Sequence, residues 1–253
     1  FIMLDHFGPS EIGPHSRGFP PHPHKGFETV TYMLSGEIEH RDSAGGHAVI
    51  GPGDVQWMTA GGGIVHSETP PEALKAKGGT IEGLQLWVNL PRADKETPAG
   101  YQILKAEDLG QAEDAMRGVT AIVLAGEIMG AKGPSRTFTP MTVAVLILDA
   151  EATLSLEPDT DHNAAVYVAS GSLAAGRDRH HVKAGETALF EPDEHPITLA
   201  AGEPALALYM AGRPIGEPVI ARGPFVMTTQ GDVRQAMLDY QSGKFGPVGV
   251  DRL

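Results

Sequence analysis

The chain of 253 residues contains no cysteine. Disulfides, thiolate nucleophiles, iron–sulfur clusters and cysteine-ligated zinc are therefore excluded, and a cytoplasmic location is expected. Basic residues are scarce as well, 19 Lys and Arg against 32 Asp and Glu, for a formal charge of −13. Such a surface repels phosphate backbones and anionic lipid, so neither direct nucleic-acid binding nor membrane binding is expected. Aromatic side chains make up only 6%, and any core must rest on Val, Ile, Leu and Ala. The longest apolar run, Val143–Leu148, is far too short to cross a bilayer. No Gly-x-Ser-x-Gly elbow, phosphate-binding Walker loop or Asn-x-Ser/Thr sequon occurs.

Turn formers are plentiful, with 32 Gly and 20 Pro. Between them recur short runs rich in Val, Ile, Thr and Tyr: Thr29–Leu34, His47–Ile50, Val55–Thr59 and Leu84–Leu90. A second series follows at Val119–Leu124, Thr142–Leu148, Ala165–Ala169, Glu186–Phe190, Ile197–Ala200 and Ala205–Met210. Runs of this length and spacing predict an all-β sandwich or barrel. Helical periodicity predicts only a short helix near Ala106–Arg117 and another over Gly231–Gly243, with Val233, Met237 and Tyr240 on one face.

The two series share one plan. Tyr32-Met-Leu-Ser-Gly-Glu-Ile38 matches Tyr167-Val-Ala-Ser-Gly-Ser-Leu173 at an offset of 135. Pro52-Gly-Asp-Val-Gln-Trp57 matches Ala184-Gly-Glu-Thr-Ala-Leu189 at an offset of 132. An internal duplication follows, with a first β domain over 1–90, a connection over 91–118, a second β domain over 119–212 and a helix-bearing tail over 213–253.

The candidate chemistry lies in His22-Pro-His24 and His66-Ser-Glu68. On a strand, residues i and i+2 point to one face, so each pair can offer two ligands to one metal. Two such pairs on neighbouring strands would give three imidazoles and a carboxylate, a set suited to a divalent first-row ion with room for exogenous ligands. Glu28 shares parity with His24. It is a competing ligand, a general base or a solvated strand carboxylate.

Several long segments resemble the pirin family. They are Leu4-Asp-His-Phe-Gly-Pro9, Phe19-Pro-Pro-His-Pro-His-Lys-Gly-Phe-Glu-Thr-Val-Thr-Tyr32, Gly53–Glu68, Gly83-Leu-Gln-Leu-Trp-Val-Asn-Leu-Pro91 and Gly223-Pro-Phe-Val-Met227. The resemblance implies a bicupin: two jelly-roll barrels in one chain, with one mononuclear metal, usually iron, in the N-terminal barrel. The family's ligands then fall on His22, His24, His66 and Glu68, with Fe(II) expected and other divalent transition metals compatible. It also implies a quercetin 2,3-dioxygenase-like oxidoreductase that opens a flavonol-like aromatic substrate with O2 and releases CO. Glu68 or Glu28 would act as base, and Phe27, Met33, Trp57 and Trp87 would be slot lining or barrel core. The alternative the family offers is a redox-sensitive, iron-binding regulatory protein working through protein partners.

The chain departs from the broader cupin pattern. After the Pro52-Gly53 turn the usual histidine slot holds Gln56 or Trp57, and His66-x-Glu68 supplies the remaining ligands. Gly62 stands where many pirins carry a basic residue. In the second repeat, counting from the matched glycines places Glu157, Asp159, Thr198 and Ala200 at the ligand positions, so that barrel is expected to hold no metal. His162, His180, His181 and His195 are read as structural or solvated. So are His6, His15, His40 and His47, with His6 a possible support for the site.

Overall fold

In the computed structural model, which describes residues 1–191 and 196–248, the chain forms two compact units. One comprises Phe1–Ala106 and the segment from Gly216 onward, the other Glu107–Ile215. The first opens with β1 (Met3–Ile12), β2 (Phe19–His24), β3 (Phe27–Ser35), β4 (Ile38–Asp42) and β5 (His47–Ile50). It continues with β6 (Val55–Thr59), β7 (Ile64–Thr69), a short helix α1 (Glu72–Lys77), β8 (Gly79–Asn89) and β9 (Gly100–Leu104). Its strands make two sheets, β1-β8-β3-β6-β9 and β2-β7-β4-β5.

The second unit holds β10 (Gly110–Asp114), β11 (Val119–Ala125), β12 (Glu127–Ile128), β13 (Ala131–Lys132), β14 (Met141–Leu148) and β15 (Thr153–Leu156). Then come β16 (Asn163–Ser170), β17 (Ser172–Ala175), β18 (His180–Lys183), β19 (Thr187–Phe190), β20 (Ile197–Ala200) and β21 (Ala205–Gly212). Its main sheets are β10-β11-β14-β21-β16-β19 and β15-β20-β17-β18. The order β8-β3-β6 of the first unit thus recurs as β21-β16-β19, and β2-β7-β4-β5 recurs as β15-β20-β17-β18. Each unit is an antiparallel jelly roll, and the chain is a bicupin.

One predicted helix is absent. Ala106–Asp108 makes a single 3-10 turn, after which Gly110–Asp114 is the strand β10, paired with β11. Exposed Gln111 and Glu113 alternate there with less exposed neighbours, a period of two. Ladder bonds to the edge of β11 outweigh the helix preference of Ala and Glu. The segment 91–118 consequently carries two strands, with β9 closing the first unit's sheet against β6.

The tail returns to the first unit as β22 (Ile220–Arg222), β23 (Phe225–Met227) and α2 (Gln230–Gln241). Thr229 caps α2 by accepting from the Asp232 N–H at 3.1 Å. The helix buries Val233 and Ala236, while Met237 packs partly against Val65, Phe225, Ala236 and Phe245. Among the described residues no helix is long and apolar enough to cross a membrane.

A buried lysine pins this return. Lys95 Nζ donates to the Gly26 carbonyl at 2.7 Å, Asn89 Oδ1 at 2.7 Å and the Val226 carbonyl at 3.0 Å. Gly26 itself has φ +86°, and a Cβ there would lie 2.1 Å from the Val226 oxygen, so no other residue fits the turn between β2 and β3. Lys95→Met keeps the volume but strands three acceptors. The expected loss is about 3 kcal/mol, read as a lower denaturant midpoint with an unchanged m-value.

Candidate metal centre

The site is built by parity on the four-stranded sheet of the first unit. In the β2–β7 ladder His22 lies opposite His66, and in the β4–β7 ladder Asp42 lies opposite His66 and His40 opposite Glu68. Residues paired across a ladder share a face, as do residues two apart on one strand. His22, His24, His66, Glu68, His40 and Asp42 therefore occupy one face of β2-β7-β4.

The coordinating atoms of His22, His24 and His66 all lie within 4.8 Å of one another. Their ring centroids are 4.3 to 4.9 Å apart. Glu68 joins a second such group with His66 and His40. Gln85, on β8 of the facing sheet, donates from Nε2 to Glu68 Oε2 at 3.2 Å and to Thr31 Oγ1 at 3.1 Å. The Trp87 indole N–H donates in turn to Gln85 Oε1 at 3.3 Å. The carboxylate is thereby held from across the barrel.

The donor chemistry fits a divalent cation. The His22 Nδ1 sits 2.8 Å from the Pro20 carbonyl. A carbonyl can only accept, so Nδ1 carries the proton and Nε2 presents its lone pair. Burial, with help from His22, pushes His24 down to about 3, against a weaker opposing pull from the Pro224 carbonyl, which neither ring nitrogen meets in hydrogen-bond geometry. Burial followed by repulsion from His24, His22 and His40 holds His66 well below the ordinary histidine range. Both rings are neutral near pH 7, with lone pairs free to coordinate. Both nitrogens of His24 and Nε2 of His66 are buried without a hydrogen-bond partner among the described residues. Buried polar atoms left so are costly, and a metal ion in their midst removes that cost.

Glu28 does not join this group. Strand parity would carry from His24 to Glu28 only along a continuous strand, and the bend at Gly26 moves the chain into the other sheet. Phe27, two residues after the bend's start, approaches the His24 ring at 5.1 Å, so the alternate residue Glu28 points to the opposite face of β3. There it is 1% exposed, with Oε1 accepting from the Thr59 hydroxyl at 2.7 Å. Burial pushes its carboxyl up to about 7, against hydrogen bonding from Thr59 and Trp57. The general-base role considered for Glu28 is withdrawn on this geometry.

Of the aromatic candidates, Phe27 and Trp87 flank His24, with ring centroids 5.1 and 5.3 Å from it and 4.2 Å from each other. Met33 instead packs with Ile38, Ile50 and Ile81. Trp57 lies opposite Val30, on the Glu28 face, whereas Gln56 lies opposite Thr31. Gln56 is thus the residue in the usual cupin histidine slot. The basic group at the Gly62 loop comes from Lys25, whose ammonium donates to the Gly62 carbonyl at 2.8 Å and pairs with Glu96 at 2.7 Å.

Sequence reasoning missed His40, Asp42 and Gln85. The first two carried a readable signal: His40-Arg-Asp42 has the same i, i+2 spacing as the two ligand pairs. His6 instead meets Glu82 at 3.0 Å.

In the second unit, the pairing of Ala175 with Leu199 reproduces that of His40 with Glu68, and Leu156 with Ile197 reproduces His22 with His66. The positions equivalent to His22, His66, Glu68 and His40 are therefore buried Leu156, Ile197, Leu199 and Ala175, none of which can ligate. The counted residues Glu157, Asp159, Thr198 and Ala200 fall one place off. The connection 157–162 is longer than its counterpart 25–26. His162 is buried 3.7 Å from Asp159 and Asp161, His180 and His181 are exposed, and His195 lies outside the described residues.

The family model for pirin matches residues 1–88, and that for the pirin C-terminal cupin domain matches 143–246. The chain belongs to the pirin family. A pirin-like protein of Solanum lycopersicum is 42% identical over 264 residues, covering 97% of this chain and 81% of the relative. A Pseudomonas aeruginosa relative whose name assigns quercetin 2,3-dioxygenase activity provisionally is 41% identical over 247 residues, 97% of this chain and 86% of its own. Among solved pirin-fold structures, a quercetin 2,3-dioxygenase from Acinetobacter baumannii aligns with TM-score 0.92 and 36% identity, over 97% of this chain and 86% of that one.

Proposed function

We propose that this protein is a mononuclear metal-dependent dioxygenase that opens the ring of a quercetin-like flavonol. His22, His24, His66 and Glu68 would hold the ion, Fe(II) by preference. The observation that carries the reading is the set of buried, neutral, unpartnered imidazole nitrogens directly beside the Phe27 and Trp87 rings. A metal-binding trio alone would suit many chemistries. An aromatic wall at 5 Å from it suits a planar aromatic substrate. The quercetin dioxygenase name of a structure at 36% identity supports the same substrate class.

The ion, when bound, supplies Lewis acidity toward the substrate hydroxyl and the redox capacity that O2 chemistry needs. The chain supplies the rest. Trp87, partly exposed and backed by the buried Phe27 ring, orients the flavonol plane against the histidines. Glu68, steadied by Gln85, accepts the hydroxyl proton as general base. Buried Thr29, Thr31 and Met58, on the strand faces turned to the site, limit water. Overall, one O2 is consumed, one ring carbon leaves as CO, and a depside remains.

The test is the absorbance of quercetin in aerobic buffer. With one Fe(II) per chain the flavonol band should decay catalytically, and without metal it should persist. A persistent band despite full iron occupancy contradicts the proposal.

A further inference from the structure

His40 is neither a ligand nor a bystander. It is fully buried, its Nε2 lies 2.9 Å from Asp42 Oδ2, and its Nδ1 lies 3.4 Å from His66 Nδ1. Both of its ring nitrogens are thereby engaged, so it has no lone pair to spare for an ion. Asp42 is equally buried and anchored, its Oδ1 accepting the Ala44 and Gly46 N–H groups at 2.8 Å each. Burial alone would raise its carboxyl. The bonds from His40, Gly46 and Ala44 prevail and hold it below the usual carboxylate range.

With His40 and His66 both neutral, proton bookkeeping along this chain allows one arrangement. The Asp42 carboxylate can only accept, so His40 carries its proton on Nε2. His40 Nδ1 is then an acceptor, which places the His66 proton on Nδ1. The remaining His66 nitrogen, Nε2, keeps its lone pair and is the buried atom without a partner. We infer that Asp42 and His40 form a positioning relay that fixes His66 in the tautomer able to bind the metal. Outer partners of metal-bound histidines commonly set tautomer and ring orientation. Here the carboxylate acts through an interposed imidazole, on the same face of β4 and one strand away from the ligands.

The inference rests on the proposed metal centre, yet its sharpest test needs no metal. Asp42→Asn keeps the size and, through Oδ1, both turn bonds. It also replaces the acceptor facing His40 with an N–H donor. His40 must then move its proton to Nδ1, His66 Nδ1 must accept, and the His66 proton passes to Nε2, the coordinating atom. Nitrogen-15 NMR of metal-free protein should show His66 protonated on Nδ1 in the parent and on Nε2 in Asp42→Asn. Anaerobic Fe(II) competition titration should show binding weakened about tenfold or more in the variant. His40→Asn, which offers an amide oxygen near the place of Nδ1, should leave the His66 proton on Nδ1 and retain tighter binding than Asp42→Asn. His40→Phe keeps ring bulk without an acceptor and should bind Fe(II) as weakly as Asp42→Asn.

An unchanged His66 tautomer in Asp42→Asn, or equal Fe(II) affinity in parent, Asp42→Asn and His40→Phe, overturns the relay. A parent that takes up no Fe(II) sinks the proposed metal centre instead, and the NMR comparison still decides whether the hydrogen-bond chain exists.

Discussion

His24→Ala is expected to lose iron altogether, from about one equivalent per chain to background. The argument is one of donors. His22, His24 and His66 are the only trio of imidazoles among the described residues whose nitrogens converge, and removing one leaves two. Loss of an outer partner typically costs 10- to 100-fold in affinity, and loss of a ligand should exceed that. Turnover of quercetin should vanish with the metal. The metal-free forms should differ little in stability, because the substitution also deletes two buried nitrogens that lack partners. Differential scanning calorimetry separates these effects. Added Fe(II) should raise the parent's transition through preferential binding to the folded state and leave the variant's unmoved. A variant that still holds one iron would place the centre elsewhere.

Glu28→Gln should stabilise the protein in neutral and alkaline solution. The folded carboxyl titrates at about 7 against an ordinary value of 4.5, chiefly because it is buried. Between those values the unfolded chain releases its proton while the folded chain keeps it. The parent is therefore most favoured below pH 4.5, and it loses this contribution as pH rises through 7. The two values put the contribution at about 3 kcal/mol, an upper figure. Glutamine cannot ionise, so the variant should be the more stable at pH 8, and the two should converge near pH 4. Urea denaturation at both pH values checks this. If the variant is the weaker at pH 8, the buried carboxylate is better satisfied than Thr59 and Trp57 allow. Iron content and turnover should survive the substitution, because Glu28 faces away from the histidines.

Much of the architecture was legible because β periodicity and turn residues report on local backbone. The duplicated Ser-Gly turns at Gly36 and Gly171 marked equivalent hairpins, and the two units share the same strand order around them. That His22, His24, His66 and Glu68 share a face was legible because i, i+2 spacing fixes a face before any tertiary contact is known. Failures came where tertiary structure intervenes. Glu28 was misplaced because the Gly26 bend breaks parity, and a glycine in a Lys-Gly-Phe run does not announce a change of sheet. The helix expected near Ala106–Arg117 gave way to an open sheet edge that only the folded unit presents. His40-Arg-Asp42 showed the same i, i+2 spacing, yet the role of His40 did not follow from spacing alone. Its partners, Asp42 and His66, meet it only through the β4–β7 register.

The most direct test is headspace CO measured against dissolved O2 during aerobic turnover of quercetin by iron-loaded protein, beside His24→Ala. The account predicts one CO released per O2 consumed in the parent and neither signal in the variant. Quercetin loss without CO, or equal CO from parent and variant, would contradict a ring-opening dioxygenase at the His22, His24 and His66 centre.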